Sequence, residues 1–174
     1  MSAPSNLGAL VLVVMGVSGA GKTTVAKPLA AALGWPFKEG DDLHPPANIA
    51  KMSAGVALTD ADRAPWLAAI GDWIDGQIHR GEPGVITCSA LRRAYRDVLC
   101  KGRPAVRIVY LQGSREVIAA RLAKRQGHFM PPSLLDSQLA ALQPPGPDEA
   151  AIVVDINQTV EAQVAAVLHD LGRR

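Results

Sequence analysis

Eight consecutive residues, Gly16-Val17-Ser18-Gly19-Ala20-Gly21-Lys22-Thr23, carry the pattern GxxxxGK[ST]. The chemistry that spacing suits is phosphate binding. Glycines at 16, 19 and 21 let the backbone curl until its N–H groups converge on one anion. Lys22 supplies a point charge to β- and γ-phosphates, and Thr23 offers a hydroxyl to Mg²⁺. With Thr24 opening the next helix, the candidate ATP-binding set is Gly16, Val17, Ser18, Gly19, Ala20, Gly21, Lys22, Thr23 and Thr24, with Thr23 as the metal-contacting member.

A phosphate loop serves switches, motors and transferases alike, so other residues must decide. The Asn-Lys-x-Asp segment of a guanine-specific switch is absent from the sequence. Glu39-Gly40-Asp41-Asp42-Leu43-His44-Pro45 follows the second predicted strand, on the same carboxyl edge of the sheet as the phosphate loop. A carboxylate there can accept the proton of an attacking hydroxyl or hold Mg²⁺ through water, and Asp41 is the candidate. Asp42 fits a helix cap equally well. Asp155 also ends a strand-like run, Ile152-Val153-Val154, but it belongs to the last strand and could cap the helix beginning near Thr159.

Cationic residues gather in two places: Arg92, Arg93 and Arg96 after the third strand, and Arg121, Lys124, Arg125 and His128 later. The second set follows i, i+3, i+4, i+7 spacing and forms one stripe on a helix expected to end near Gly127. No carboxylate lies between positions 117 and 135, which suits a lid over an anion better than a salt-bridged surface. Pro131-Pro132 beyond it suits a hinge, and closure would bring arginines over the phosphates while excluding water.

The elements that must position these groups read as an α/β fold. Apolar runs at 9–15, 35–38, 84–88, 105–111 and 151–155 predict five strands of a parallel sheet covered on both faces by helices. Trp66, Leu67, Ile70, Trp73 and Ile74 keep helical spacing after a Thr59 N-cap, as do Val160, Val164, Val167, Leu168 and Leu171 near the end. These stripes are core. Pro28 interrupts the donor pattern of the helix that follows the phosphate loop and is expected to kink it.

Composition closes off other classes. The 174 residues suit one domain, here read as residues 1–174, and 48% hydrophobic with 20% charged residues describes an ordinary globular chain. A formal charge of +2 and only 4% aromatic residues give no platform for nucleic acid. Two cysteines, Cys88 and Cys100, are too few for a disulfide framework, so a reducing compartment is expected. The longest apolar run is too short to span a bilayer, and the residues before it lack the basic end of a signal peptide. A cytoplasmic protein without membrane contact is the expectation.

Five segments together, GVSGAGKT at 16–23, GDDLHPPANIAKM at 40–52, LTDADRAPWL at 58–67, CSALRRAYRD at 88–97 and GHFMPPSLLDSQ at 127–138, resemble the small gluconate kinases. These are relatives of shikimate and nucleoside monophosphate kinases among phosphate-loop proteins. The resemblance covers almost the whole chain. It implies transfer of the γ-phosphoryl of ATP to the 6-hydroxyl of D-gluconate, on a five-stranded parallel sheet with a mobile lid at about 121–135 and an acceptor segment at about 40–80, in a homodimer. Carried onto matching positions, it puts Lys22 and Thr23 on ATP and Mg²⁺, Asp41 beside the acceptor hydroxyl, and Arg121 and Arg125 in the lid, so that Lys22, Asp41, Arg121 and Arg125 form the catalytic set.

Acceptor contacts are expected from Asp41, His44, Lys51, Arg63, Ser89 and Arg92, because a sugar acid needs a cation for its carboxylate and donors for its hydroxyls. Arg63 could instead pair with Asp60 at a helix start, and His44 before Pro45 could be a turn residue. One departure from the family pattern is Gln143, where Glu is usual, which bears on lid packing or nucleotide contacts. Two rival readings remain: a kinase for another small acceptor, and a nucleotide-binding switch that would need neither Asp41 nor a basic lid.

Overall fold

The computed structural model describes residues 9–124 and 132–172. Five strands, β1 (Val11–Met15), β2 (Phe37–Lys38), β3 (Gly84–Thr87), β4 (Val106–Gln112) and β5 (Ile152–Asp155), form one sheet in the order β2-β3-β1-β4-β5. Every pairing is parallel, with Val13 of β1 opposite Ile86 of β3 and Ile108 of β4. β1, at the centre, is wholly buried. Leu12 and Val14 face one layer with Val25 and Leu29 of α1 (Lys22–Leu33) and Val164 and Val167 of α7 (Val160–Gly172). Val11, Val13 and Met15 face the other, with Trp66, Ile70 and Ile74 of α3 (Asp60–His79) and Leu99 of α4 (Arg93–Cys100). Strands covered on both faces need no polar alternation, which is why these runs are nearly continuous in apolar residues.

The second strand is shorter than the expected 35–38, for a local reason. Gly34 closes α1 in the left-handed region at φ 69°, and the Trp35 N–H donates back to the Ala30 carbonyl, so this residue ends the helix rather than starting a strand. Pro36 has no N–H, and only its carbonyl joins the ladder, accepting from Val85. Pro28 does not break α1, which runs through it to Leu33; the residue is exposed, so its missing donor lies on the solvent side.

Three further α-helices, α2 (Pro46–Ser53), α5 (Arg115–Lys124) and α6 (Pro132–Ala141), and two short 3₁₀ turns, Gly40–Leu43 and Pro147–Glu149, complete the described chain. The expected Thr59 cap of α3 is present as a reciprocal box: Thr59 Oγ1 accepts from the Asp62 N–H while the Asp62 carboxylate accepts from the Thr59 N–H. Asp155 accepts from the Asn157 N–H and shapes the turn, and Thr159 rather than Asp155 caps α7. No described helix is long and apolar enough to cross a membrane.

Candidate active site

The phosphate loop connects β1 to α1 at the carboxyl edge of the sheet. Gly21 occupies the N-cap of α1 at φ 90°, a left-handed conformation that strains any residue with a Cβ, and no side chain caps the helix. The first-turn N–H groups therefore open into the loop, the arrangement that binds an anion. Lys22 Nζ folds along the inside of the loop, donating to the carbonyls of Gly16 at 3.0 Å and Val17 at 3.3 Å. Arg121 reaches the same place from α5: its guanidinium stands beside Gly21 and donates to the Ile156 carbonyl at 2.5 Å.

β2 delivers its carboxylates through a close crossing. A Cβ on Gly40 would lie 1.8 Å from the Thr87 carbonyl oxygen, so only glycine lets the chain pass over the end of β3 here. On one side of that crossing Glu39 accepts hydrogen bonds from Thr23 Oγ1, at 2.6 Å, and from Thr87 Oγ1. The Thr87 hydroxyl in turn accepts from the Gly40 N–H at 3.0 Å. On the other side Asp41 projects, exposed, toward His44, with 3.9 Å between Oδ1 and Nε2. Neither Asp41 nor Asp42 caps α2, whose N-cap is Pro45.

A cavity of about 470 Å³ joins the two halves. Lys22 and Ser18 of the phosphate loop, Asp41, His44 and Arg63 of the acceptor segment, and Ser89 and Arg92 beyond β3 all line it. Its volume is in the range of small-molecule sites. His44 lies flat on Trp66, with ring centroids 4.2 Å apart, and its burial holds the imidazole below its ordinary pKa. Arg63 lies between the cavity and the start of α3. It lines the cavity while its Nη1 donates to the Leu58 carbonyl and Tyr95 hydroxyl, and Asp60 stands 4.0 Å away, accepting in turn from Tyr95.

Lys51 stands apart from the other expected acceptor contacts. Its ammonium binds the Asp62 carboxylate at 2.7 Å at the start of α3, and it does not line the cavity, because the carboxylate of the capping box is its nearer partner. The arginines after β3 divide as well. Arg92 faces the cavity, but Arg93 pairs with Asp148, and Arg96, 1% exposed, is held by Glu149 and by the Ala90 and Leu91 carbonyls. Those carbonyls belong to a turn in which Ala90 takes φ 46°, so Arg96 secures the strained link that presents Ser89. Gln143 proves to be a tether: its side chain accepts from the Arg93 N–H at 2.7 Å, and its own N–H donates to Leu91.

Thr24 is exposed in the first turn of α1. Arg125 and His128, expected on the lid stripe, lie outside the described residues. Three residues of the site carry no role in the sequence reading. Glu39 and Asn48 sit inside quoted segments, and Gln138 ends one. Gln138 of α6 grips the phosphate loop at two points, accepting from the Ser18 N–H at 2.7 Å and donating to Ser18 Oγ at 3.1 Å. Cys88, behind the site, is fully buried and its thiol is pushed up to about 12 by that burial, so it is no nucleophile.

Comparison with known proteins agrees with this geometry. Residues 11–145 match the family model of an AAA domain. A gluconokinase of Gluconobacter oxydans (strain 621H) is 58% identical over 143 residues, covering 82% of this chain and 80% of that protein. The thermosensitive gluconokinase of Escherichia coli (strain K12) is 48% identical over 149 residues, covering 85% and 80%. The crystal structure of a gluconokinase from Sinorhizobium meliloti 1021 superposes with a TM-score of 0.87 at 48% identity, over 95% of this chain and 93% of that one. Identity of that order, spread over four fifths or more of each chain and carried on one topology, means that this chain belongs to the gluconokinase family of phosphate-loop kinases.

Proposed function

We propose that this chain transfers the γ-phosphoryl group of ATP to the 6-hydroxyl of D-gluconate, giving 6-phospho-D-gluconate and ADP. The observation that carries the reading is the shared cavity, in which the phosphate-loop lysine and the Asp41 carboxylate face one space with two arginines. The acceptor oxygen forms the new bond to phosphorus, the bond to the bridging oxygen of ADP breaks, and the acceptor proton passes to Asp41. Lys22 and the first-turn N–H groups of α1 hold the phosphates, with Gly16 to Thr24 as the ATP cradle. Arg121, and Arg125 from the lid at about 121–135, balance charge developing on the transferred group. Arg63 and Arg92 serve the gluconate carboxylate, with His44 and Ser89 as partners for its hydroxyls.

The donor set at Thr23 and Glu39 fits Mg²⁺. A hydroxyl and a carboxylate oxygen lie 2.6 Å apart beside the loop, both hard oxygen donors of the kind this cation takes alongside phosphate and water. Bound there with ATP, the ion would neutralise charge between the β- and γ-phosphates. Among the described residues no cluster of three or more His, Cys, Asp or Glu could hold a metal ion.

The family resemblance also supports a single kinase domain working as a cytoplasmic homodimer. ADP release, measured with ATP and Mg²⁺ against D-gluconate, other sugar acids, shikimate and nucleoside monophosphates, tests the assignment. Release that depends on D-gluconate is expected; release indifferent to every acceptor would make the chain an ATPase or switch.

A further inference from the structure

The polar contacts around His44 admit one arrangement of protons. Asn48, 3% exposed, donates from Nδ2 to the Asp62 carbonyl at 2.8 Å. A carbonyl only accepts, so turning the amide over would set oxygen against oxygen, and the nitrogen must stand where it does. The same Nδ2 lies 3.2 Å from His44 Nδ1 and points its second hydrogen there. His44 Nδ1 must therefore present a lone pair. The ring cannot tilt away, because it is stacked on Trp66, which is itself pinned by a hydrogen bond from Nε1 to the Gly40 carbonyl at 2.8 Å. A neutral imidazole carries one proton, and the position left for it is Nε2.

We propose that Asn48 is a positioning residue that holds His44 as its neutral Nε2–H tautomer, so that His44 donates a hydrogen bond to the acceptor hydroxyl beside Asp41. The second half of this rests on the acceptor-pocket reading above. Nε2 and Asp41 Oδ1 are 3.9 Å apart, too far for a direct hydrogen bond and close enough for one oxygen to reach both. A hydroxyl there directs its proton to Asp41 and takes the Nε2–H on one lone pair. The other lone pair remains for phosphorus.

Two consequences follow for recognition. A neutral His44 brings no charge to a carboxylate, which leaves that task to Arg63 and Arg92 on the same wall. An acceptor lacking the hydroxyl would strand a buried donor, and such mismatches discriminate strongly. The charged groups facing the ring are Asp41, from the turn after β2, and Arg63, from α3. Asp62 offers it nothing but the carbonyl that fixes Asn48, because its carboxylate is held by Lys51 and Thr59.

The test is ¹⁵N NMR of the full chain labelled at histidine, without substrate, with His44 assigned from the signal lost in His44→Gln. A protonated Nε2 and bare Nδ1 are expected for the wild type at about pH 8, where an ordinary imidazole is already neutral. Asn48→Asp places an acceptor against Nδ1 and should move the proton there or charge the ring, and Asn48→Leu should leave both tautomers populated. In Asn48→Asp the gluconate KM should rise about tenfold with the ATP KM unchanged. Proton on Nδ1 in the wild type, or an unaltered tautomer in both variants, overturns the proposal. Because the spectra need no acceptor, failure of gluconate to support ADP release would remove the assigned activity and leave the tautomer result standing.

Discussion

The two walls of the cavity are built from different parts of the polypeptide. The phosphate wall is backbone: N–H groups of the loop and first turn of α1, set by Gly21 in a left-handed conformation and backed by the fully buried β1. The acceptor wall is side chain: His44 on Trp66, Asn48 on the Asp62 carbonyl, Arg63 on Tyr95, Thr87 on Glu39. A backbone cradle binds any phosphate of the right size, and its geometry is guarded by the hydrophobic core beneath it. A side-chain network defines one acceptor, and each member depends on the next. On the proposed assignment, nucleotide affinity and acceptor choice live on separable surfaces.

That separation can be broken at graded cost. The largest expected loss comes from Lys22→Ala, about 10,000-fold in kcat/KM with both substrates affected, while a circular-dichroism melt stays close to the wild type. Asp41→Asn should lower kcat by about 1,000-fold and leave ATP binding intact by calorimetry. Undiminished turnover there would move proton transfer elsewhere. Gln138→Ala cuts a side-chain grip of α6 on the phosphate loop and should cost about tenfold in kcat, with acceptor-independent ATP hydrolysis rising relative to transfer.

Lys51→Ala is the smallest change, within about twofold in gluconate KM, since the lysine lies off the cavity. Its effect belongs to the fold instead. The hydrogen bonds from Lys51 and Thr59 hold the Asp62 carboxyl down at about 2, so the capping box strengthens α3 above the ordinary carboxylate range of about 4 and is lost as pH falls through about 2. Removing Lys51 should move acid unfolding to higher pH, read by far-UV circular dichroism. A gluconate KM raised as steeply as in Asn48→Asp would instead place Lys51 on the acceptor.

The same division explains what was legible in the sequence. The five strands are where the apolar runs put them, with ends moved by one or two residues, and at β2 a helix terminus and a proline claim the backbone, at Trp35 and Pro36. The phosphate loop is legible because all its parts are contiguous. The side chains that brace the cavity are not, because they acquire meaning from partners far along the chain. Glu39 reads as the end of a strand until Thr23 and Thr87 close on it, and Gln138 reads as helix surface until Ser18, 120 residues away, fills its amide. Charge misleads for the same reason. Arg93 and Arg96 look like phosphate ligands from their neighbours in sequence, and their partners, Asp148 and Glu149, lie about fifty positions later.

The Arg96–Glu149 pair also sets an order in time. The chain leaves the ribosome from its first residue onward, and its phosphate loop, β1 and α1 are all present once residue 33 has emerged. Arg96 must wait a further 53 residues for the carboxylate that neutralises it. Until then the turn at Ala90 lacks its clamp and the acceptor wall lacks its floor. The central strand β1 waits as well, for β3 and β4 on its two sides, so the sheet beneath both walls closes only after residue 112 and the clamp only when Glu149 follows.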